Sequence, residues 1–391
     1  PPRSTLFPYT TLFRSPYSTM SGAPPALKTS ADAVSPARGS DVSIVDVLPQ
    51  HRFDEAPLWR YLQQQLPDFA GPATLRQFQG GQSNPTFLIT TPTKKFVLRK
   101  KPPGKLLPSA HLIEREYRIL RALPPDQVPV PRARVLCEDA SIVGTPFYVM
   151  DHVEGRVMSN VALPQLNPAE RTALYADFAR VAAALHAVDF RACGLGDFGK
   201  PEGYVARQLD RWTKQYLAAK TGENPDMDRL IEWLTAHLPS TDETAIAHGD
   251  FRIGNTIIHP TEPRIIALLD WELATLGHPL SDLAYACMYF RMPVLEDAGG
   301  GLEGLDLHAL GIPTEQEFLD TYCRHAGRAS IPDWRFFLAF ANFRMAAITQ
   351  GVYARALQGN AADRRAIRYG ETAKIFAGIG RRLVEGRGNE R

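Results

Sequence analysis

The sequence predicts an α+β chain of two lobes: a small antiparallel sheet carrying one helix, then a mostly helical part interrupted by a single hairpin. Three observations carry this prediction. At 391 residues the chain is too long for one ordinary core and short for three. From about Thr74 to Asp151 short alternating or apolar runs dominate, whereas beyond that point the apolar residues recur at helical spacing. Within the second half only Thr256 to His259 and Ile265 to Leu269 read as strands, and they flank Pro260-Thr261-Glu262-Pro263, a loop of hairpin length.

Residues 1–40 are rich in Pro, Ser, Thr and Ala and carry a near-repeat of Thr-Leu-Phe at Thr5 and Thr11. They lack the apolar core of a signal peptide. They are expected to form a disordered or non-native leader, with Met20 a sensible start, and are set aside from the fold. The sheet-bearing lobe is then expected over residues 41–153, with strands at Leu75 to Phe78, Thr86 to Thr90, Lys95 to Lys100, Ala133 to Cys137 and Phe147 to Met150. Between them Ile113, Tyr117 and Leu120 form one stripe of a helix. The chain turns at Gly155, and residues 154–391 make the helical lobe. Its clearest helix starts at Asn167 as N-cap, with Pro168 in the first turn and Glu170 completing a capping box. Further helices are expected at Tyr204 to Ala219, Asp226 to Leu238, Glu315 to Ala326, Trp334 to Leu357 and Asp363 to Val384.

Composition narrows the function classes. Hydrophobic residues make up 44%, charged residues 22%, and the formal net charge is +2, so no polybasic excess points to nucleic acid. No apolar run approaches the roughly 20 residues that span a bilayer. Cys137, Cys193, Cys287 and Cys323 lie far apart without a Cys-x-x-Cys pair, which signals neither a zinc ribbon nor a disulfide framework and suits a reducing, cytoplasmic setting. His186, His259 and His278 show no paired metal-ligand spacing and read as structural or surface groups.

The chemistry concentrates in His248-Gly249-Asp250-Phe251-Arg252-Ile253-Gly254-Asn255 and Asp270-Trp271-Glu272. Phosphoryl transfer needs a carboxylate near the attacking hydroxyl, metal ligands and donors that hold phosphates. Asp250 stands five residues before Asn255, a spacing that lets one loop present a base while Asn255 turns its amide oxygen toward a cation. The hairpin returns Asp270 to the same place, and the oxygen pair suits Mg2+.

This loop, hairpin and acid resemble the aminoglycoside phosphotransferase and choline kinase family, over nearly the whole chain from about residue 55. The resemblance implies a protein-kinase-like fold and an ATP- and Mg2+-dependent kinase. It makes Asp250 the catalytic base, Asn255 and Asp270 the magnesium ligands, and His248 and Asp282 loop-bracing residues; Glu272 reads first as a solvated or hydrogen-bonded acid, with approach to a second magnesium as the alternative. In Phe96-Val97-Leu98-Arg99-Lys100 it favours Arg99 as the phosphate-binding cation, where protein kinases carry lysine. Strand alternation lets only one of Arg99 and Lys100 face the cleft, and Arg99 is preferred. Glu116 is its expected partner, with Glu114 the solvated competitor. The turn Gly80-Gly81-Gln82-Ser83-Asn84 would lie over the phosphates and offer backbone donors; the chain has neither a dinucleotide-fold fingerprint nor a P-loop run. The Asp151 carbonyl and Val153 amide would hold the adenine.

The acceptor is expected between the catalytic loop and the helices bearing Arg207, Arg211, Trp212, Tyr216, Arg344, Tyr353 and Arg355. Aminoglycosides are polycations and call for carboxylates, whereas these helices carry arginines and aromatics, which favours an anionic small molecule. The run Val97 to Gly104 and the following Leu106 to His111 resemble kinase domains attached to, or encoded near, acyl-CoA dehydrogenases. A hydroxyacyl-CoA acceptor and a functional link to such a dehydrogenase follow from that resemblance. An aminoglycoside or choline-type kinase, a nucleotide-binding regulatory pseudokinase and a metal-dependent hydrolase remain the competing readings.

Overall fold

The computed structural model describes residues 43–79, 84–102, 112–294, 300–358 and 367–386. The leader and the turn residues Gly80, Gly81, Gln82 and Ser83 lie outside them, as do residues 103–111 of the run that resembles kinase domains attached to, or encoded near, acyl-CoA dehydrogenases.

The first lobe runs β1 (Ile44–Val45), α1 (Glu55–Gln65), β2 (Thr74–Phe78), β3 (Thr86–Thr90), β4 (Lys95–Lys100), α2 (Ile113–Ala122), β5 (Ala133–Cys137) and β6 (Phe147–Asp151). The strands form one antiparallel sheet in the order β1-β2-β3-β4-β6-β5. Alternation sorts its two faces. Phe96 and Leu98 of β4 join Phe87, Ile89, Phe147 and Val149 under Leu58, Leu62 and Leu66 of and beside α1. Val97, Tyr148 and Met150 face the main core with Ile113, Ile119 and Leu120 of α2. Helix α1 and strand β1 are additions to the expected elements. Strand β1 has only two residues, and α1 ends in Gln63-Gln64-Gln65 and buries only Leu58 and Leu62, with Asp54 accepting from the Ala56 N–H as its cap.

The second lobe comprises α3 (Pro168–His186), α4 (Tyr204–Ala219), α5 (Pro225–Ala236), β7 (Ala245–Ala247), β8 (Thr256–Ile258), β9 (Ile265–Leu268), β10 (Thr275–Gly277), α6 (Pro279–Cys287), α7 (Leu307–Leu310), α8 (Glu315–Ala326), α9 (Trp334–Leu357) and α10 (Tyr369–Val384). The capping box that starts α3 is present, with the Asn167 side chain and the Glu170 side chain each accepting from the other's N–H. Helix α9 buries residues on every side from Phe336 to Thr349, as an interior helix must, and α4, α5, α6 and α10 pack around it.

Strands β8 and β9 form the expected hairpin, with Thr256 opposite Leu268. A second pair, β7 with β10, brackets it. The connection between the lobes is fixed by close approach. A Cβ on Gly155 would stand 2.4 Å from Ile257 Cγ2 and 2.5 Å from the Ile258 carbonyl oxygen, so only glycine fits. Next to it, the Arg156 and Ile258 backbones exchange hydrogen bonds of 2.7 and 2.8 Å, and Arg156 Nε donates to the His259 carbonyl at 2.9 Å. No described helix is long and apolar enough to cross a membrane.

Candidate active site

Strand β7 delivers the chain to His248, and an acid from α6 holds it there. Asp282 Oδ2 accepts from the His248 N–H at 2.6 Å and Oδ1 from the Gly249 N–H at 2.8 Å. Burial works against the Asp282 charge, but His186, His248 and the Gly249 N–H outweigh it and hold its pKa below the usual carboxylate value. The His248 ring ties the loop to the hairpin: Nε2 lies 2.9 Å from the Leu269 carbonyl, Nδ1 accepts from the Asp250 N–H at 3.3 Å, and the ring packs on Trp271. Gly249 has φ +83°, and an added Cβ would stand 2.7 Å from the Leu273 carbonyl oxygen. This turn sets the buried Asp250 carboxylate beside Asn255 and Arg252.

Asn255 Nδ2 donates to the Asp250 Oδ2 at 2.7 Å and to the Asp250 backbone carbonyl at 2.9 Å. With the nitrogen so committed, Oδ1 is the Asn255 atom that can meet a cation. The Leu269 N–H donates to the Asn255 carbonyl at 2.8 Å, which sets Asp270 beside this site. Asp270 itself adopts a left-handed backbone, φ 66° and ψ 63°, a costly conformation for a residue with a Cβ and one that clusters at functional sites.

From the opposite lobe Arg99 reaches across. Its Nε lies 2.9 Å from Glu116 Oε2, its Nη2 2.8 Å from Asp270 Oδ1 and 3.7 Å from Glu272 Oε2. One cation thus serves three carboxylates. Burial pushes the Glu116 carboxyl up, against the pull of Arg99 and the hydrogen bonds from Tyr148 and Asn84. Glu272 is pushed well above its ordinary value by burial and by the neighbouring Asp270 charge. Lys100 points to the other face, donates to the Val143 carbonyl and lies over the Phe53 ring at 4.6 Å. Glu114 pairs with Lys101.

Asn84, the one described member of the expected phosphate turn, is buried, and its amide donates to Glu116 Oε1 at 2.8 Å. At the end of β6 the Asp151 N–H donates to the Arg132 carbonyl at 2.9 Å, and its carboxylate meets Lys94 and Arg134 at 3.1 and 3.4 Å. Val153 follows, half-buried, where the chain leaves the sheet.

The proposed acceptor residues divide. Arg344 reaches the His248 to Asn255 loop, where Nη2 donates to the Gly249 carbonyl at 2.6 Å, and its guanidinium lies 5.8 and 5.6 Å from the Trp212 and Tyr285 rings. Trp212 and Tyr216 are buried core residues. Arg207 turns back onto the Lys200 and Glu202 carbonyls, Arg211 is exposed beside Trp212, Tyr353 packs along Gly370, and Arg355 is half-buried. Two residues that sequence reasoning passed over stand beside Asp250 instead. Arg252 Nε lies 3.4 Å from Asp250 Oδ2, and the Tyr285 ring is fully buried beside the same loop. Arg252 was legible as the second residue after Asp250. Tyr285, three positions after Asp282, shares its helix face.

Known proteins bear the same stamp. The profile of a phosphotransferase enzyme family matches residues 74–338. Mouse acyl-CoA dehydrogenase family member 10 is 47% identical over 307 residues, 78% of this chain and 29% of that protein. A solved structure from Ralstonia eutropha, provisionally assigned as an aminoglycoside phosphotransferase, is 45% identical with a TM-score of 0.79, over 86% of this chain and 99% of that one. A thermostable mutant of an aminoglycoside phosphotransferase, solved with AMP-PNP and hygromycin B, shares the fold at 16% identity and a TM-score of 0.56, over 86% of this chain and all of that one. The chain spans 29 to 45% of the length of the acyl-CoA dehydrogenase relatives it matches. With a sheet-bearing lobe, a helical lobe and the family profile over two thirds of its length, the chain belongs to the phosphotransferase enzyme family and is a kinase-type enzyme of protein-kinase-like fold.

Proposed function

We propose that the chain transfers the γ-phosphoryl group of ATP, with Mg2+, to a hydroxyl of a small anionic metabolite, a hydroxyacyl-CoA being the leading acceptor class. The convergence of Asp250, Asn255, Asp270, Arg99 and Glu116 on one cleft carries the reading. Asp250 would take the hydroxyl proton as the oxygen attacks the γ-phosphorus and ADP leaves. Arg99, oriented by Glu116, would hold the phosphates, and the oxygens of Asn255 and Asp270 would hold Mg2+, which supplies charge neutralisation as the β–γ bond breaks. Among the described residues no cluster of three His, Cys, Asp or Glu is placed to hold a metal alone. Two protein oxygens completed by nucleotide phosphates are the habitual Mg2+ arrangement, and the donor set fits it.

For the nucleotide, support comes from the AMP-PNP held by a neighbour of the same fold. For an anionic acceptor, it comes from the names of the acyl-CoA dehydrogenase relatives and from Arg252, a fixed positive charge beside the base. A polycationic antibiotic would meet Arg252 and Arg344 there. The complete set of Asp250, Asn255 and Asp270 speaks against a pseudokinase.

The test is purified protein with MgATP and a panel of hydroxyacyl-CoA esters, free hydroxy acids, choline and aminoglycosides, read by mass spectrometry of phosphorylated product. Asp250→Ala and Asp270→Ala should each lower transfer by about 10²-fold or more while Asp250→Ala still binds nucleotide. Phosphorylation of choline or aminoglycosides alone would overturn the acceptor class, and unchanged turnover in Asp250→Ala would overturn the base.

A further inference from the structure

We infer that Tyr285 is an acceptor-orienting residue whose hydroxyl donates to the attacking oxygen while Asp250 Oδ1 takes that oxygen's proton. The inference rests on the proposed role of Asp250 as base.

The two oxygens of Asp250 are not equivalent. Oδ2 accepts from Asn255 Nδ2 at 2.7 Å and faces Arg252 Nε at 3.4 Å. Oδ1 is buried and has no hydrogen-bond partner among the described residues. The Tyr285 hydroxyl is buried too, on a ring that is 2% exposed; it lies beside the Asp250 carboxylate and the Tyr289 hydroxyl without a well-formed hydrogen bond to any described residue. Buried polar atoms are ordinarily paired, and a donor and an acceptor that lie side by side without a well-formed bond can both be completed by one further oxygen.

Their neighbourhood is built. Tyr285 lies on α6 three residues after Asp282, so one helix face presents the carboxylate that holds the His248 and Gly249 N–H groups and the phenol that lies beside Asp250. The Tyr285 ring sits 5.6 Å beneath the Arg344 guanidinium, which itself holds the Gly249 carbonyl at 2.6 Å. Burial and then the Asp250 carboxylate push the phenol well above its ordinary pKa, as expected of a hydroxyl that stays protonated next to that charge. It is a fixed donor. Oδ1 is a fixed acceptor.

An alcohol oxygen placed between them satisfies both. Its O–H donates to Asp250 Oδ1, one lone pair accepts from Tyr285 Oη, and the other points to the γ-phosphorus. The new bond joins the acceptor oxygen to phosphorus, the bond from phosphorus to the β–γ bridging oxygen breaks, ADP leaves with that electron pair, and the proton passes to Oδ1. Water standing in for the alcohol would undergo the same step, so slow hydrolysis of MgATP without added acceptor reads the site directly.

Tyr285→Phe keeps the ring under Arg344 and deletes only the hydroxyl. The experiment measures hydrolysis of MgATP, its kcat and KM for ATP, and the rise in melting temperature given by Mg2+ with AMP-PNP, for wild type, Tyr285→Phe and Asp250→Asn. The expected result is loss of hydrolysis in Asp250→Asn and about a tenfold fall in kcat in Tyr285→Phe, with KM for ATP and the nucleotide-induced shift retained. Hydrolysis in Tyr285→Phe within twofold of wild type, with Asp250→Asn inactive, would overturn the role of Tyr285 alone. Loss of the nucleotide-induced shift in Tyr285→Phe would assign the residue to packing and equally overturn it. Full hydrolysis by Asp250→Asn would remove the base and this inference together.

Discussion

Adjacent residues on β4 illustrate how much one position decides. Arg99 spans Glu116 and Asp270 at 2.9 and 2.8 Å through two different nitrogens, Nε and Nη2, a fixed fork that the single ammonium of lysine does not reproduce. Lys100 lies on the other face, where burial pushes its pKa down to about 8. Arg99→Met should therefore lower ATP turnover by about 10²-fold and Arg99→Lys by about tenfold, whereas Lys100→Met should stay within about threefold of wild type. Equal losses at both positions in steady-state kinetics would contradict this division. A second residue controls acid stability. Burial disfavours the charged form of His278 and pushes its pKa from 6.5 down to about 4. In that window the unfolded chain takes up a proton that the folded chain refuses, so stability is complete above about pH 6.5 and falls as pH drops toward about 4. The full effect is on the order of 3 kcal/mol. His278 accepts from the Leu280 N–H as the cap of α6, and asparagine can do the same. Urea unfolding of His278→Asn should thus lose less stability between neutral pH and about pH 4.5 than wild type does; an identical loss would exclude His278 as the titrating group.

At the scale of elements, the His248 to Asn255 loop, proposed to be catalytic, is a turn whose shape depends on Gly249. Alanine there meets both a φ of +83° and the Leu273 carbonyl oxygen at 2.7 Å. Gly194 offers the control, with φ +72° and nothing within 4 Å of an added Cβ. Gly194→Ala should cost about 1 kcal/mol from backbone strain alone, while Gly249→Ala should cost clearly more in chemical denaturation and lose most turnover. Comparable losses in the two variants would mean that the loop yields around the new methyl. The sequence already disclosed what this element contains, because Asp250, Asn255 and Asp270 are spaced by loop and hairpin lengths that local chemistry dictates. The boundaries of β3, β4, β5, α4, α8 and α9 follow from periodicity and emerge at the expected residues. What holds the loop was less legible. Strands β7 and β10 have three residues each, too few for alternation to register. The Arg344 contact to Gly249 joins residues 95 apart, and nothing in local pattern separates it from Arg207, which turns back on its own helix start. Asp282 was identified through the resemblance, not through spacing, for the same reason.

Across the whole molecule, two of the contacts between the lobes differ in character. At the Gly155 and Arg156 junction the backbone is fastened to the hairpin by paired hydrogen bonds, a contact that persists whatever the cleft holds. The second place is electrostatic, where Arg99 of the sheet bridges to Asp270 of the hairpin while Glu116 and Glu272 crowd the same cation. Three carboxylates around one guanidinium leave an excess of negative charge, visible in the upward displacement of Glu272 by burial and by Asp270. Asp270→Asn removes one arm of the ion pair and one of the repelling charges, so the ligand-free variant should melt within about 1 kcal/mol of wild type. Its response to ligand should differ. At a nucleotide concentration of about 100 Kd, binding stabilises the folded state by about 2.7 kcal/mol, and in wild type AMP-PNP with Mg2+ should raise the melting temperature more than AMP-PNP with a chelator. In Asp270→Asn the increment from Mg2+ should vanish while the smaller nucleotide-only shift persists, because Arg99 and Glu116 remain. An undiminished Mg2+ increment would place the metal on other oxygens, and loss of the nucleotide-only shift would show that Asp270 organises the phosphate site as well as the metal.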